Sequence, residues 1–349
     1  MRFVKPQVTA LTFNGPNAVE RKIEYAYRIC YRSERRMTED SYKEFLPRML
    51  QHGDVKTQHT SPLAHGYVKF TTSFFVYDLI KKLSDQLNTS QYFKLIDQNG
   101  ARVSIRTNCR ALFELINAVV KNEDNNVSFK MGATIIKLLS NALHERFPYI
   151  FKEYEIDVNS ICKKMMLEDS FNRIEIDKYY STYDDSWLTV LITTSRDMLQ
   201  QLSRHKTIDI SVESTRYVNY EKRGGVPFLT CDFPPLHIDE HDLIHCDDVL
   251  FNGDSEYEYI HLDNISNSYV KFCKYIEEKY FEFLHHWNKP DGAKHVLNGS
   301  VVTHIVATAT RNAWEHFIDL RGSDTGAHPC IQFIADRVKL ILNNRNDSC

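Results

Sequence analysis

The sequence has no long hydrophobic run. Its most apolar stretches, such as Trp187–Thr193, fall far short of the ~20 residues that a membrane-spanning helix needs. The opening residues, MRFVKPQVTA, carry neither the apolar core nor the small-residue cleavage site of a secretory signal. There is no C-x-x-C pair: Cys30, Cys109, Cys162, Cys231, Cys246, Cys273, Cys330 and Cys349 are scattered. Scattered thiols suit a reducing compartment better than a disulfide framework. These absences point to a soluble intracellular, cytoplasmic protein. Charge of one sign is not in excess either. With a formal net charge of −3 there is no global basic field for nucleic acid, so an anionic ligand needs a local cluster of cations. Repeats of solenoid period and low-complexity tracts are also missing, which excludes a repeat array.

What is present is ordinary globular composition, 42% hydrophobic and 26% charged over 349 residues. That length suits two domains, or one with a large insertion. The first clear helical pattern is Thr38–His52, capped by Thr38 and ended by Gly53. Tyr42, Phe45, Leu46, Met49 and Leu50 form its apolar stripe, and Pro47 kinks it. The loop HTSPLAH (His59–His65) then feeds an aromatic and β-branched strand, Gly66–Val76. Residues 77–186 read as an insertion or subdomain. In it, helices Asp78–Leu87, Arg110–Val120 and Ala133–Glu145 surround a short strand, Ala101–Arg106, with a polar breaker at Lys121–Asn126.

A strand at Trp187–Thr193 leads into a helix running from Thr194 or Ser195 to Ser203, and residues 224–263 are loop-rich and acidic. The strongest helical period is Asn264–Trp287. Ile265, Tyr269, Phe272, Ile276, Tyr280, Phe283 and Trp287 are expected to form its buried stripe. Helices Asn312–Leu320 and Pro329–Leu342 follow, the latter opening on a proline, where a missing N–H costs nothing.

The chemistry concentrates in SRHKTIDISVESTRYVNY, Ser203–Tyr220. It gathers Arg204, His205, Lys206 and Arg216 around Ser211, Glu213 and Ser214, just past a helix end. Guanidinium groups bind phosphate through paired hydrogen bonds, and hydroxyls complete such a cradle. A solvated basic turn is the plainer alternative for a cluster of this kind.

The stretch resembles the signature of the flavin-dependent thymidylate synthases, the ThyX family: Arg-His-Arg, seven residues, Ser, then x-Arg-Tyr. Here it stands as Arg204-His205-Lys206, seven residues, Ser214, Thr215, Arg216-Tyr217. The lead-in TTSRDMLQQLSRHK places Gln201 at a nucleotide-contacting position of that family. YRICYRS (Tyr27–Ser33), HTSPLAH, AKHVLN (Ala293–Asn298) and RNAWEHFIDLR (Arg311–Arg321) followed by AHPCIQ resemble its other segments, in order. The resemblance covers roughly 1–70 and 187–342. Departures are Lys206 for Arg, Asp209 for Ser, Val212 for a polar contact, Ala64 for Glu, Lys294 for Arg and Asn298 for Pro. Thr310 and Asn312 also replace Asn and Arg.

The resemblance implies an α+β fold: a central, mostly antiparallel sheet flanked by helices, with a helical insertion. The catalytic domain would be discontinuous, 1–76 and 187–349, around the 77–186 insertion. It implies conversion of dUMP to dTMP with 5,10-methylenetetrahydrofolate as one-carbon donor and FAD, reduced by NADPH, as hydride source. A homotetramer with shared active sites is implied too. Carried over by position, Gln201, Arg204, Glu213, Ser214, Arg216, Lys294 and Arg321 would contact dUMP. His59, Ser61, Arg204, His205, Lys206, Asn312 and His316 would contact FAD. Arg321 would be catalytic, favouring ionised uracil N3 because a nearby cation stabilises that anion.

Other readings stay open. Ser214 and His205 pair as nucleophile and base, but no acid at triad spacing completes them. Pro329-Cys330 resembles the Pro-Cys of cysteine-dependent thymidylate synthases, although Cys330 shares the apolar face of its helix with Ile331, Ile334 and Val338, as a packed thiol would. HIDEHDLIHC (His237–Cys246) spaces its histidines as a helical zinc site would, but its acids and poor helix start weigh against metal. The signature departures also suit a relative that binds flavin or nucleotide without turnover. A nucleic-acid-binding protein could use the same basic cluster, but the net charge opposes it.

Overall fold

The computed structural model describes residues 1–51, 59–121, 127–156, 174–177, 187–230, 243–245 and 267–346. Its strands begin with β1 (Arg2–Val4), β2 (Gln7–Thr12), β3 (Tyr67–Ser73), β4 (Lys94–Asn99), β5 (Arg102–Asn108) and β6 (Glu175–Ile176). Then come β7 (Trp187–Ser195), β8 (Asp209–Val212), β9 (Pro227–Leu229), β10 (Leu243–His245) and β11 (Val302–Thr310). Helices α1 (Ala18–Tyr31), α2 (Tyr42–Gln51), α3 (Phe74–Gln86), α4 (Cys109–Lys121) and α5 (Val127–Arg146) occupy the first part of the chain. The later ones are α6 (Arg196–Leu202), α7 (Asn267–Trp287), α8 (Pro290–Ala293), α9 (Arg311–Arg321) and α10 (Pro329–Asn346). The fold is α+β, as expected. The chain forms two compact units: one from residues 1–13, 25–37 and 184–349, the other from 14–24 and 38–183.

In the first unit five strands lie in the order β10-β2-β7-β11-β8, antiparallel throughout except for the β10–β2 pair. The sequence of β11, VTHIVATAT, is buried over all but its last residue, because this strand is central and covered on both faces. Val190, Ile192, Ile305 and Ala307 pack with Trp314, Phe317, Ile331, Ile334 and Val338, so the sheet shares one core with α9 and α10. Trp314 is fully buried and its indole N–H donates to the carbonyl of Leu188 at 3.0 Å, which satisfies its polar atom. Thr310 ends β11 extended and caps α9, its hydroxyl accepting from the N–H of Ala313 at 3.2 Å. Cys330 lies in this core, as its place on α10 led one to expect.

The second unit is built on an antiparallel sheet, β4-β5-β3-β6, with α3, α4 and α5. Residues 77–186, expected as an insertion, supply β4, β5 and β6 to this sheet, and β3 from before residue 77 is their partner. Ser73 caps α3, accepting from the N–H of Val76 at 3.3 Å, so the expected strand Gly66–Val76 stops there and the helix starts at Phe74. Likewise α2 starts at Tyr42 and not Thr38, because the Ser41 hydroxyl turns back to accept from the Thr38 N–H. Pro47 does lie inside that helix.

The buried stripe of α7 differs from the expected one. Cys273, Ile276, Tyr280 and Leu284 are buried, whereas Phe272 is 47% exposed and Trp287 60%. Ile276 and Tyr280 are buried as expected, but Cys273 and Leu284 take the face against Val218, Tyr220, Val226 and Phe228 in place of the neighbouring Phe272 and Phe283. Of HIDEHDLIHC, only Leu243–His245 is described, as β10; the rest of the candidate metal motif lies outside the described residues. Among the described residues no group of His, Cys, Asp and Glu is arranged to hold a metal, and no helix is long and apolar enough to cross a membrane.

Candidate active site

The signature begins where α6 ends. The N–H of Arg204 donates to the Gln201 carbonyl and that of His205 to Leu202, so the chain leaves the helix in a tight turn. That turn leaves Arg204 and Lys206 exposed and His205 half-buried. The His205 ring stands edge-on to Phe317 of α9, ring centres 4.9 Å apart. Arg321, at the far end of α9, directs its Nε–H at Nε2 of His205 across 3.3 Å. Burial, then the charge of Arg321, push the His205 pKa below its ordinary value, so the ring is neutral near pH 7 and its Nε2 is free to accept. His205 thus faces a cation, and among the described contacts it is not a base for Ser214. His316 adds to the charge felt by His205, and Asn312 is exposed on the same helix. Two segments more than a hundred residues apart in sequence, both expected at the site, therefore meet.

A second meeting lies beyond β8. The N–H of Ser214 donates to the Cys30 carbonyl at 3.0 Å, and the carbonyl of Ser214 accepts from the N–H groups of Tyr217 and Val218. The Ser214 hydroxyl accepts from the N–H of Arg216 at 3.3 Å. Tyr217 packs on Tyr31, ring centres 5.0 Å apart, leaving Arg216 pointing outward. Asp291 of α8 receives both Arg216 Nε (3.2 Å) and Lys294 Nζ (2.6 Å). Two cations expected at the nucleotide are thus held around one carboxylate. Lys294 is the first cause of the lowered Asp291 pKa. Gln201 is half-buried, its amide turned toward Met198 Sδ at 3.9 Å.

Glu213, expected among the nucleotide contacts, is 1% exposed with both oxygens engaged by protein donors. Tyr220 donates to Oε1 at 3.0 Å, and Arg32 donates to Oε2 at 3.1 Å. His304 Nδ1 lies 2.6 Å from Oε2. Burial pushes the carboxyl up, but Arg32 and the His304 hydrogen bond outweigh it and bring it from 4.5 down to about 2. Burial and Arg32 push His304 the other way from an imidazolium, so its contact with Glu213 is a hydrogen bond from a neutral ring, not an ion pair. Arg32, His304, Tyr220 and Asp291 were missed from the sequence. Arg32 lies inside the YRICYRS segment, Tyr220 ends the signature stretch and Asp291 sits one helical turn before Lys294, so only His304 carried no local signal.

His59 and Ser61 belong to the second unit, at the turn Ser61–His65 that precedes β3. Both are half-buried, and burial followed by the charge of Arg110 lowers the His59 pKa. Beside them Thr60 and Arg110 both donate to Oε1 of Glu114, at 2.9 and 2.8 Å.

Exposed guanidinium and ammonium groups, a neutral imidazole and a pinned serine turn are donors of the kind an anionic ligand needs. Residues 150–345 match the family described as thymidylate synthase complementing protein, and the chain belongs to that family, the flavin-dependent thymidylate synthases. Its members are methyltransferases. Among solved structures the chain is similar to a UMP/dUMP methylase, PolB from Streptomyces cacaoi bound with 5-Br UMP. There the identity is 21% and the TM-score 0.34, over 45% of this chain and 69% of that one. It is also similar to the flavin-dependent thymidylate synthase ThyX from Helicobacter pylori complexed with FAD and dUMP. That match has 21% identity and a TM-score of 0.31, over 58% of this chain and 86% of that one. No curated protein matches the chain.

Proposed function

We propose that the chain converts dUMP to dTMP, taking the carbon from 5,10-methylenetetrahydrofolate and using FAD that NADPH reduces, in a homotetramer with shared active sites. The observation that carries this reading is the contact between His205 and Arg321, which joins the signature to the α9 segment. Arg216 and Lys294 would bind the nucleotide phosphate, with Gln201, Arg204 and Ser214 fixing its remaining polar edge. Arg321 would face the uracil and stabilise the N3 anion as it forms; a fixed cation does this without reorganising at the moment of reaction. No enzyme nucleophile is needed. In the first unit Arg204 and Lys206 are exposed cations suited to the phosphates of a flavin dinucleotide, and neutral His205, with Asn312 and His316, would supply hydrogen bonds; by the resemblance His59 and Ser61 would contact the flavin as well. When bound, FAD in its reduced state supplies the hydride that completes the methyl group. The exposed aromatic face of α7, with Phe272, Tyr275, Phe283 and Trp287, supports assembly.

Titration of the purified protein with FAD tests the reading. Saturation in or below the tens of micromolar is expected, with the spectrum of oxidised bound flavin, followed by dUMP-dependent release of tritium from uracil C5. FAD and dUMP binding without tritium release would favour a relative that holds both ligands without turnover, which the departures at Lys206, Val212, Thr310 and Asn312 permit.

A further inference from the structure

Arg32 is one of few non-glycine residues with positive φ (50°) among the described residues. It sits just beyond α1: its own N–H donates to the Ile29 carbonyl, and the next N–H, of Ser33, reaches back to Arg28. That is the helix-ending turn in which glycine is the usual choice, because a side chain is disfavoured in the left-handed region. An arginine kept at such a place marks a site where the side chain matters more than the turn.

The guanidinium runs inward. Its Nε donates to Glu34 at 3.0 Å and its Nη1 to Glu213 at 3.1 Å, and its own backbone carbonyl accepts from Arg223. It lies along the His304 ring, Nη1 2.6 Å from Nδ1 and 3.2 Å from Nε2. The carboxylate of Glu213 can only accept and the guanidinium can only donate, so Nδ1 of His304, 2.6 Å from both, is the point at which ring, carboxylate and guanidinium meet, and the tautomer sets which of the two it bonds. The backbone closes the same loop, with the N–H of Glu213 donating to the His304 carbonyl at 2.9 Å and that of Ser214 to Cys30 at 3.0 Å. Every member of this cluster is therefore spoken for, and the residues immediately after it are Ser214 and Arg216.

We propose that Arg32, Glu213, His304 and Tyr220 form a buried anchor that positions the Ser214–Arg216 turn for a nucleoside monophosphate. Glu213 is thus a positioning residue and does not touch the ligand. The anchor joins the α1 terminus, β11 and the turn after β8, so the turn's two outward groups inherit one fixed placement. The proposal rests on the dUMP-binding reading above.

The test uses the full chain loaded with FAD and two variants. Arg32→Gly keeps a turn that glycine prefers and deletes only the side chain; Tyr220→Phe removes one hydroxyl. The expected result for Arg32→Gly is a folded protein with wild-type FAD affinity, a Kd and KM for dUMP raised about tenfold or more, and kcat changed less than threefold. A misplaced charged contact costs about that much in affinity. Tyr220→Phe is expected to raise the dUMP Kd about threefold. Folded Arg32→Gly with wild-type dUMP affinity overturns the anchor. So does equal loss of FAD and dUMP binding with a lowered melting temperature, which marks a purely structural cluster. Should Arg32→Gly not fold, an unchanged dUMP Kd in Tyr220→Phe overturns it. Wild-type protein that binds no dUMP overturns the enzymatic reading itself, and the anchor with it.

Discussion

Arg321 Nε points at Nε2 of His205 from 3.3 Å, and the two groups settle each other's state. An arginine has no lone pair to offer and stays charged, so the imidazole must accept through that nitrogen and stay neutral. Burial and the Arg321 charge both favour the neutral ring. His205 in turn holds one edge of the guanidinium.

Arg321→Ala is therefore expected to lose dUMP affinity and ring activation together, by about 1.5–3 kcal/mol or tenfold and more in rate. Arg321→Lys should keep part of the affinity, since the charge survives, but lose the planar geometry. FAD content should stay near wild type in both. Tritium release from uracil C5, measured alongside the flavin spectrum, checks this; wild-type turnover in Arg321→Ala would return the residue to the surface, where a lone charge is worth little.

In the second unit Glu20 of α1 is fully buried, and neither carboxyl oxygen has a side-chain partner. Burial raises its pKa from 4.5 to about 7, against the opposing pull of its own backbone N–H and the charge of Arg146. The raised value makes the folded state bind the proton more tightly than the unfolded one. Below about pH 4.5 both states are protonated and nothing is lost; stability then falls as pH rises toward 7. Glu20→Gln cannot ionise, so its melting temperature should exceed wild type at pH 8 by several degrees and match it at pH 4. Equal melting curves at both pH values would mean that the carboxyl is solvated in the fold.

The signature, α9 and α10 were legible because their residues act locally: a helix cap, a period, a run of cations. The strand β11 was not, since burial on both faces erases the alternation by which a strand is recognised. Helix α1 was hidden for the opposite reason. Glu20, Arg21, Glu24 and Arg28 are buried in it, so its charges fall on the faces that a periodicity reading assigns to water. In α7 the period was right and Ile276 and Tyr280 are buried as expected, but Phe272 and Phe283 were taken for inward positions that the adjacent Cys273 and Leu284 hold. At the site, Arg204, His205 and Arg321 were found as residues, but their pairing was not. His304 carries no sequence signal, and Arg32, although inside the YRICYRS segment, gave no sign of its partner; each takes its meaning from Glu213, far away in the chain.

Gly299 offers a test of how the loop before β11 is held against α6. The N–H of Asp197, in the first turn of α6, donates to the Gly299 carbonyl at 3.2 Å, and the Asp197 carboxylate lies over the glycine's Cα. A Cβ at residue 299 would fall 1.7 Å from Asp197 Oδ1, well inside contact, so the carboxylate or the loop must move. The side chain is short and its backbone is fixed by the hydrogen bond, which leaves little room to give. Gly299→Ala is expected to cost about 1–3 kcal/mol, the usual range for overpacking, read as a fall of several degrees in melting temperature. Removing the obstacle should restore most of it: Gly299→Ala with Asp197→Ala should melt close to Asp197→Ala alone. A double variant that loses the sum of the two single effects would show that the glycine is needed for its backbone and not for the space it leaves, since independent sites add and sites in contact do not.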